Sequence, residues 1–216
     1  LRRSISGILN AGTLSNANPF TERGRISDPV KFIGRWREVS LIFDQIERRR
    51  PVLIGGGPGI GRSSLLTHIA QSAGAVLEMP NLIALSLDLA VLDDAATAYR
   101  LIARELGVRG TTLADLETAL KRSPHPVLIA LDNAQAAISA GWGEALLEQL
   151  ARLARSSLST YGGIAAGLED SYDLILVATH TGTPPALSEP FAVVGLGAFA
   201  TAEIRLFVEA YLEDTG

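Results

Sequence analysis

The stretch Pro51-Val52-Leu53-Ile54-Gly55-Gly56-Gly57-Pro58-Gly59-Ile60-Gly61-Arg62-Ser63-Ser64 decides how this chain is read. A short apolar run leads straight into a glycine-rich turn, after which Leu65, Leu66, Ile69, Ala70 and Ala73 recur at helical spacing. The order is strand, glycine loop, helix. Gly56 through Ser63 fits the pattern G-x-x-x-x-G-K-[ST] at every position but one, with Arg62 standing where lysine belongs. In such a loop the glycines let successive backbone N–H groups turn inward around phosphates. The following helix adds its positive end, and the hydroxyl binds Mg²⁺. The candidate phosphate-binding residues are therefore Gly56, Gly57, Pro58, Gly59, Ile60, Gly61, Arg62, Ser63 and Ser64. A guanidinium is longer, planar and bidentate where an ammonium is compact, so the exchange at residue 62 is not conservative. Arg62 either pairs a phosphate or swings out, for instance onto Glu78 or Asp88.

Further along, Val127-Leu128-Ile129-Ala130-Leu131-Asp132 is a continuous apolar run that places a carboxylate at the end of a buried strand. A carboxylate there can hold Mg²⁺ through water, making Ser63 and Asp132 the candidate metal ligands. The next residue, Asn133, can orient a water but cannot take its proton. Hydrolysis is expected to be weak or absent.

The rest of the chain supplies the frame. Apolar spacing from Glu38 predicts a helix that ends in Arg48-Arg49-Arg50 and Pro51. Strands are predicted at Leu82–Asp88, Asp173–Thr179 and Phe191–Leu196, and helices at Ala95–Leu106, Leu113–Leu120 and Glu144–Ala154. Ser156–Gly167 reads as a Ser/Gly/Ala-rich connection, and Thr201–Glu213 as an amphipathic helix. Strands that alternate with helices, several of them unbroken apolar runs, imply a mainly parallel sheet covered on both faces.

Composition narrows the function classes. Of 216 residues, 47% are hydrophobic and 19% charged, which is too apolar for a disordered tail. No apolar run reaches the roughly 18 residues that a spanning helix needs. Basic and acidic side chains number 19 and 23, for a net charge of -4, so bulk charge gives nucleic-acid binding no support. Without cysteine there is no disulfide or thiolate metal site, and His68, His125 and His180 lack ligand spacing. Seventeen of the basic residues are arginines, so Arg62 also fits a general compositional drift. Trp36, Trp142 and His68 read as packing residues.

Several segments together carry a resemblance. Phe32-Ile33-Gly34-Arg35 with Glu38 resembles the F-x-G-R-x-x-E box that precedes the phosphate loop in AAA+ and signal-transducing STAND ATPases. Gly56–Ser64 is similar to their Walker A. Leu128–Gln135, reading L-I-A-L-D-N-A-Q, resembles their Walker B, and Leu174–Thr181 falls where such proteins place the sensor-1 strand. Val194–Leu212 resembles the start of a helical lid.

The resemblance implies a three-layer α/β P-loop NTPase with a mainly parallel five-stranded sheet, its sensor strand inserted between the phosphate-loop and Walker B strands. It divides the chain into a lead-in over residues 1–31, a core over 32–197 and the beginning of a lid over 198–216. It implies ATP or ADP with Mg²⁺ as ligands. Ile33, Gly34 and Arg35 would lie near adenine, and Thr179 or His180 would be the sensor, with Asn133 and Thr179 the catalytic candidates. Expected partners are nucleotide and a protein partner or a second copy engaged through flanking domains, in a cytoplasmic setting. No N-K-x-D segment that would read guanine occurs in the chain. The alternatives are a pseudo-ATPase scaffold that no longer binds nucleotide, and a working ATPase that uses Arg62 in place of lysine.

Overall fold

The computed structural model describes residues 24–156, 172–182, 187, 191–205 and 208–209. Most of the predicted Ser156–Gly167 connection, residues 1–23 of the lead-in and the end of the Thr201–Glu213 helix lie outside the described residues.

The described elements run α1 (Trp36–Glu47), β1 (Val52–Gly56), α2 (Arg62–Val76), β2 (Ile83–Asp88), α3 (Ala95–Glu105) and α4 (Leu113–Arg122). There follow β3 (Val127–Asp132), α5 (Ala134–Ser139), α6 (Gly143–Ser156), β4 (Leu174–Thr181) and β5 (Ala192–Leu196). Local chemistry sets the helix boundaries. The Asp94 carboxylate accepts the Thr97 N–H at the start of α3, and Thr112 with Asp115 forms a reciprocal cap at the start of α4. Gly107, at φ 78°, stops α3 where the sequence placed its end. The short helix α5 was not predicted, because two turns of Ala-Gln-Ala-Ala-Ile-Ser carry too little periodicity to register.

Five strands form one sheet in the order β2-β3-β4-β1-β5. Every pairing is parallel, so the expected mainly parallel sheet is wholly so. β4 lies between β1 and β3, the insertion that the resemblance implied. Period-two geometry explains the layering. Val52 and Ile54 point to one face with Leu128, Ala130, Ile175 and Val177, where α1 and α2 cover them. Leu53, Ile129, Leu131, Leu174 and Leu176 point to the other, under α3, α4, α5 and α6. This is a three-layer α/β sandwich. All six residues of β3 are buried, each large aliphatic among them contributing about 1.5–3 kcal/mol. β2, predicted at Leu82–Asp88, lies at the sheet edge and runs from half-buried to exposed positions in alternation as far as Leu87.

The amino end of the sheet is firmly tied. Val127 N–H donates to Asp173 O at 2.8 Å, Ile83 N–H to Pro126 O at 2.9 Å and Ala192 N–H to Pro51 O at 2.8 Å. An ion pair from Arg49, just past α1, to Asp173 spans the same end. The carboxyl end gathers the polar residues.

Candidate functional site

Parallel pairing brings the carboxyl ends of β1, β3 and β4 side by side. Gly55 and Gly56 stand opposite His180 and Thr181, and Leu131 opposite Ala178, which sets Asp132 next to Thr179. Of these, the sequence reading singles out Gly56, Asp132, Thr179 and His180. Their convergence depends on β4 being inserted between the other two strands, the ordinary place for a ligand in open α/β sheets.

The glycine loop is shaped by its backbone. Gly59 and Gly61 have φ of 72° and 96°, a region that other residues seldom adopt. A Cβ added at Gly57, Gly59 or Gly61 would meet nothing within 4 Å, so these positions border open space. Gly56, by contrast, is pressed at its virtual Cβ against Ile60 Cγ2 at 2.9 Å and Leu196 O at 3.1 Å. Gly61 caps α2 and offers no side chain to the free amides of the first turn. Free donors at a helix start favour an anion.

Arg62 is half-buried, and its Nη1 is buried with no hydrogen-bond partner among the described residues. Burial disfavours its charge, and the Asp132 carboxylate pulls the other way. Arg62 pairs with neither Glu78 nor Asp88. The same guanidinium acts on His180, whose pKa lies below the ordinary histidine value, first through burial and second through the Arg62 charge. An unpartnered guanidinium nitrogen beside empty loop amides is what a phosphate oxygen would satisfy.

Asp132, only 2% exposed, is the best-connected group in the site. Thr179 Oγ1 donates to its Oδ1 at 2.6 Å, and Asn133 N–H reaches the same Oδ1 at 3.1 Å and Thr179 Oγ1 at 3.0 Å. The other oxygen, Oδ2, is held by Arg25 Nη2 at 2.5 Å. Both carboxylate oxygens are thus engaged. The residues fit a polyphosphate, whereas a divalent cation fits at Asp132 only when Arg25 leaves. Ser63, the companion hydroxyl, sits half-buried on the first turn of α2.

Asn133 adopts a left-handed φ of 58°, and its Nδ2 donates to Asp88 Oδ1 at 2.8 Å. Gln135 links this group to the neighbouring strand by accepting Thr181 N–H at 3.3 Å. The amide of Asn133 is therefore committed to Asp88. No local pattern signals the Asp88, Gln135 and Arg25 contacts, since each joins positions far apart in the chain.

Arg35, 3% exposed, donates to Glu38 Oε1 at 2.9 Å, Ile60 O at 3.3 Å and Gly197 O at 2.8 Å. Its guanidinium lies 4.1 Å from the centroid of Phe199. Its backbone N–H donates to Glu203 Oε1 at 3.1 Å, and Ala200 N–H donates to Glu203 Oε2 at 3.0 Å. Gly34 meets the Phe199 ring, while Ile33 is half-buried beside them. This cluster ties the glycine loop to the segment after β5, where helix begins at residue 201.

No protein-family model matches the chain, and no curated protein matches it in sequence. Solved structures do match in shape. The Orc1 protein of Aeropyrum pernix, solved in complex with DNA, superposes with a TM-score of 0.61 at 14% identity, over 96% of this chain and 53% of that one. A Walker-type ATPase of Pyrococcus abyssi gives 0.56 at 14% identity, over 92% and 63% respectively. The chain spans between about half and two thirds of the length of these proteins. The fold is the three-layer α/β fold of P-loop NTPases, in agreement with the sequence reading. Among the described residues no helix is long and apolar enough to cross a membrane.

Proposed function

We propose that this chain is an ATP-binding domain of AAA+/STAND type that serves a larger protein as a nucleotide-dependent switch or oligomerisation module, with weak or no hydrolysis. The observation that carries the reading is the open glycine loop, its unfilled amides and the unpartnered Arg62 Nη1 beside it. ATP or ADP would lay its phosphates in Gly56–Ser64, with Mg²⁺ on Ser63 and Asp132. Thr179 holds Asp132 in place. Ile33–Arg35 would border the base, and residues 198–216 would open the lid over a core of residues 32–197.

Weak hydrolysis follows from Asn133. An amide accepts no proton, and this one is already bonded to Asp88, so Asn133 itself cannot serve as the base that activates water. When bound, the metal would neutralise phosphate charge; the chain's own residues orient and hold.

The test is calorimetric titration with Mg-ATP and Mg-ADP. Binding should be lost or weakened at least about tenfold, about 1.4 kcal/mol, in Ser63→Ala and Asp132→Ala. Unchanged affinity in both would refute the site. Absence of binding in the original chain with recovery in Arg62→Lys would instead establish a scaffold whose pocket this one arginine closes.

A further inference from the structure

The lead-in lies across the start of α2, and Arg25, Ile26 and Ser27 each make a polar contact there. Arg25 Nη2 meets Asp132 Oδ2 at 2.5 Å, Ile26 N–H donates to Ser64 Oγ at 2.9 Å, and Gln71 Nε2 donates to Ser27 O at 2.9 Å. Two of these anchors, Ser64 and Asp132, belong to the candidate nucleotide site. The third lies on α2 two turns beyond it.

We infer that Arg25 and a divalent cation compete for Asp132 Oδ2, so that binding of Mg-nucleotide displaces the Arg25–Ser27 segment from the site. The geometry leaves little room for both. Asp132 Oδ1 is already shared by the Thr179 hydroxyl and the Asn133 amide, so Oδ2 is the oxygen left for a cation or its water, and a guanidinium covers it. The buried carboxylate needs a positive partner, and the two candidates are interchangeable in sign. They are not interchangeable in tether. The Arg25 side chain is 39% exposed, and the Ile26 and Ser27 contacts that flank it are hydrogen bonds between neutral groups. A doubly charged ion held jointly with phosphates can displace it. The arrangement makes the segment a reporter of cation occupancy: docked without metal, released with it. Whatever precedes Arg25 would feel that release.

The inference rests on the nucleotide reading, and hydrogen exchange at the Ile26 amide, followed beside direct ADP titration, separates the two. With ADP and EDTA the Ile26 amide should stay protected, and with ADP and Mg²⁺ its exchange should accelerate about tenfold or more. In Arg25→Ala, Mn²⁺ affinity in the presence of ADP should rise about three- to tenfold, with Arg25→Lys in between. Bound Mg-ADP with Ile26 still protected, or Mn²⁺ affinity unchanged in Arg25→Ala, would overturn the competition and leave the nucleotide reading standing. No ADP binding with or without metal, in the original chain and in Arg25→Ala alike, would overturn both.

Discussion

The guanidinium of Arg35 is sandwiched between the carbonyl of Ile60 in the glycine loop and the ring of Phe199 beyond β5, 3.3 Å from the first and 4.1 Å from the centroid of the second. A single buried side chain thereby joins the ligand loop to the segment that leaves the sheet. Arg35→Ala would strand Glu38 and two carbonyls, and should destabilise the fold by about 3 kcal/mol. That corresponds to a fall of roughly 6–12 °C in a thermal melt. Arg35→Lys keeps the charge but lacks the fork and the flat face, so its melt should fall in between.

Gly56 and Gly57 are neighbours with opposite constraints. Alanine at Gly56 would press on Leu196 O and Ile60, costing about 1–3 kcal/mol, whereas alanine at Gly57 enters open space. Gly57→Ala should therefore melt like the original chain while binding ATP about tenfold more weakly. Equal losses of stability in both variants would argue against a ligand-sized hollow at the loop.

The pair Asn133 and Asp88 should behave as one unit. Asn133→Asp sets two carboxylates in contact and should cost about 1–2 kcal/mol at pH 7, with less cost near pH 4, where protons relieve the repulsion. The reciprocal change, Asp88→Asn with Asn133→Asp, restores a donor and an acceptor. Urea melts of the two single variants and the double one should give a coupling energy of at least ~0.5 kcal/mol, and strict additivity would rule out the unit.

His68 and His180 both titrate below the ordinary histidine value, each chiefly because burial penalises the cation. The unfolded chain then binds more protons than the native one as pH drops below the unfolded value near 6.5. Stability should be full above that pH and fall as the pH drops below it towards the lowered native values. His68 stacks on Phe32, with ring centroids 4.2 Å apart, so His68→Phe can keep the contact. It should flatten part of the slope, as read by denaturant midpoints across that pH range.

The parts legible in the sequence are those with a local signature. Gly56–Ser63 announces itself through spacing, Val127–Asp132 through an unbroken apolar run, and α3 through its apolar spacing and the glycine that follows it. The Arg35 box was legible as a motif, but its contacts with Ile60 and Phe199 were not. Asp88 looked like the end of a strand, and its tie to Asn133 exists only because β2 and β3 pair in register. Arg25 was hidden most completely, lying in an aperiodic stretch of Pro, Asp, Arg and Gly. Contacts between distant positions depend on topology, which local pattern does not encode.

The ion pair from Arg49 to Asp173 and the backbone bonds around it fix the strands at their amino ends, far from the glycine loop. At the other end the strands stay paired, and Gly182 N–H donates to Gly56 O at 3.2 Å, but the bonds that reach Asp132 from Arg25 and Thr179 come from side chains. Loss of the Arg25 bond would therefore free the lead-in at one point and leave the paired strands as they are.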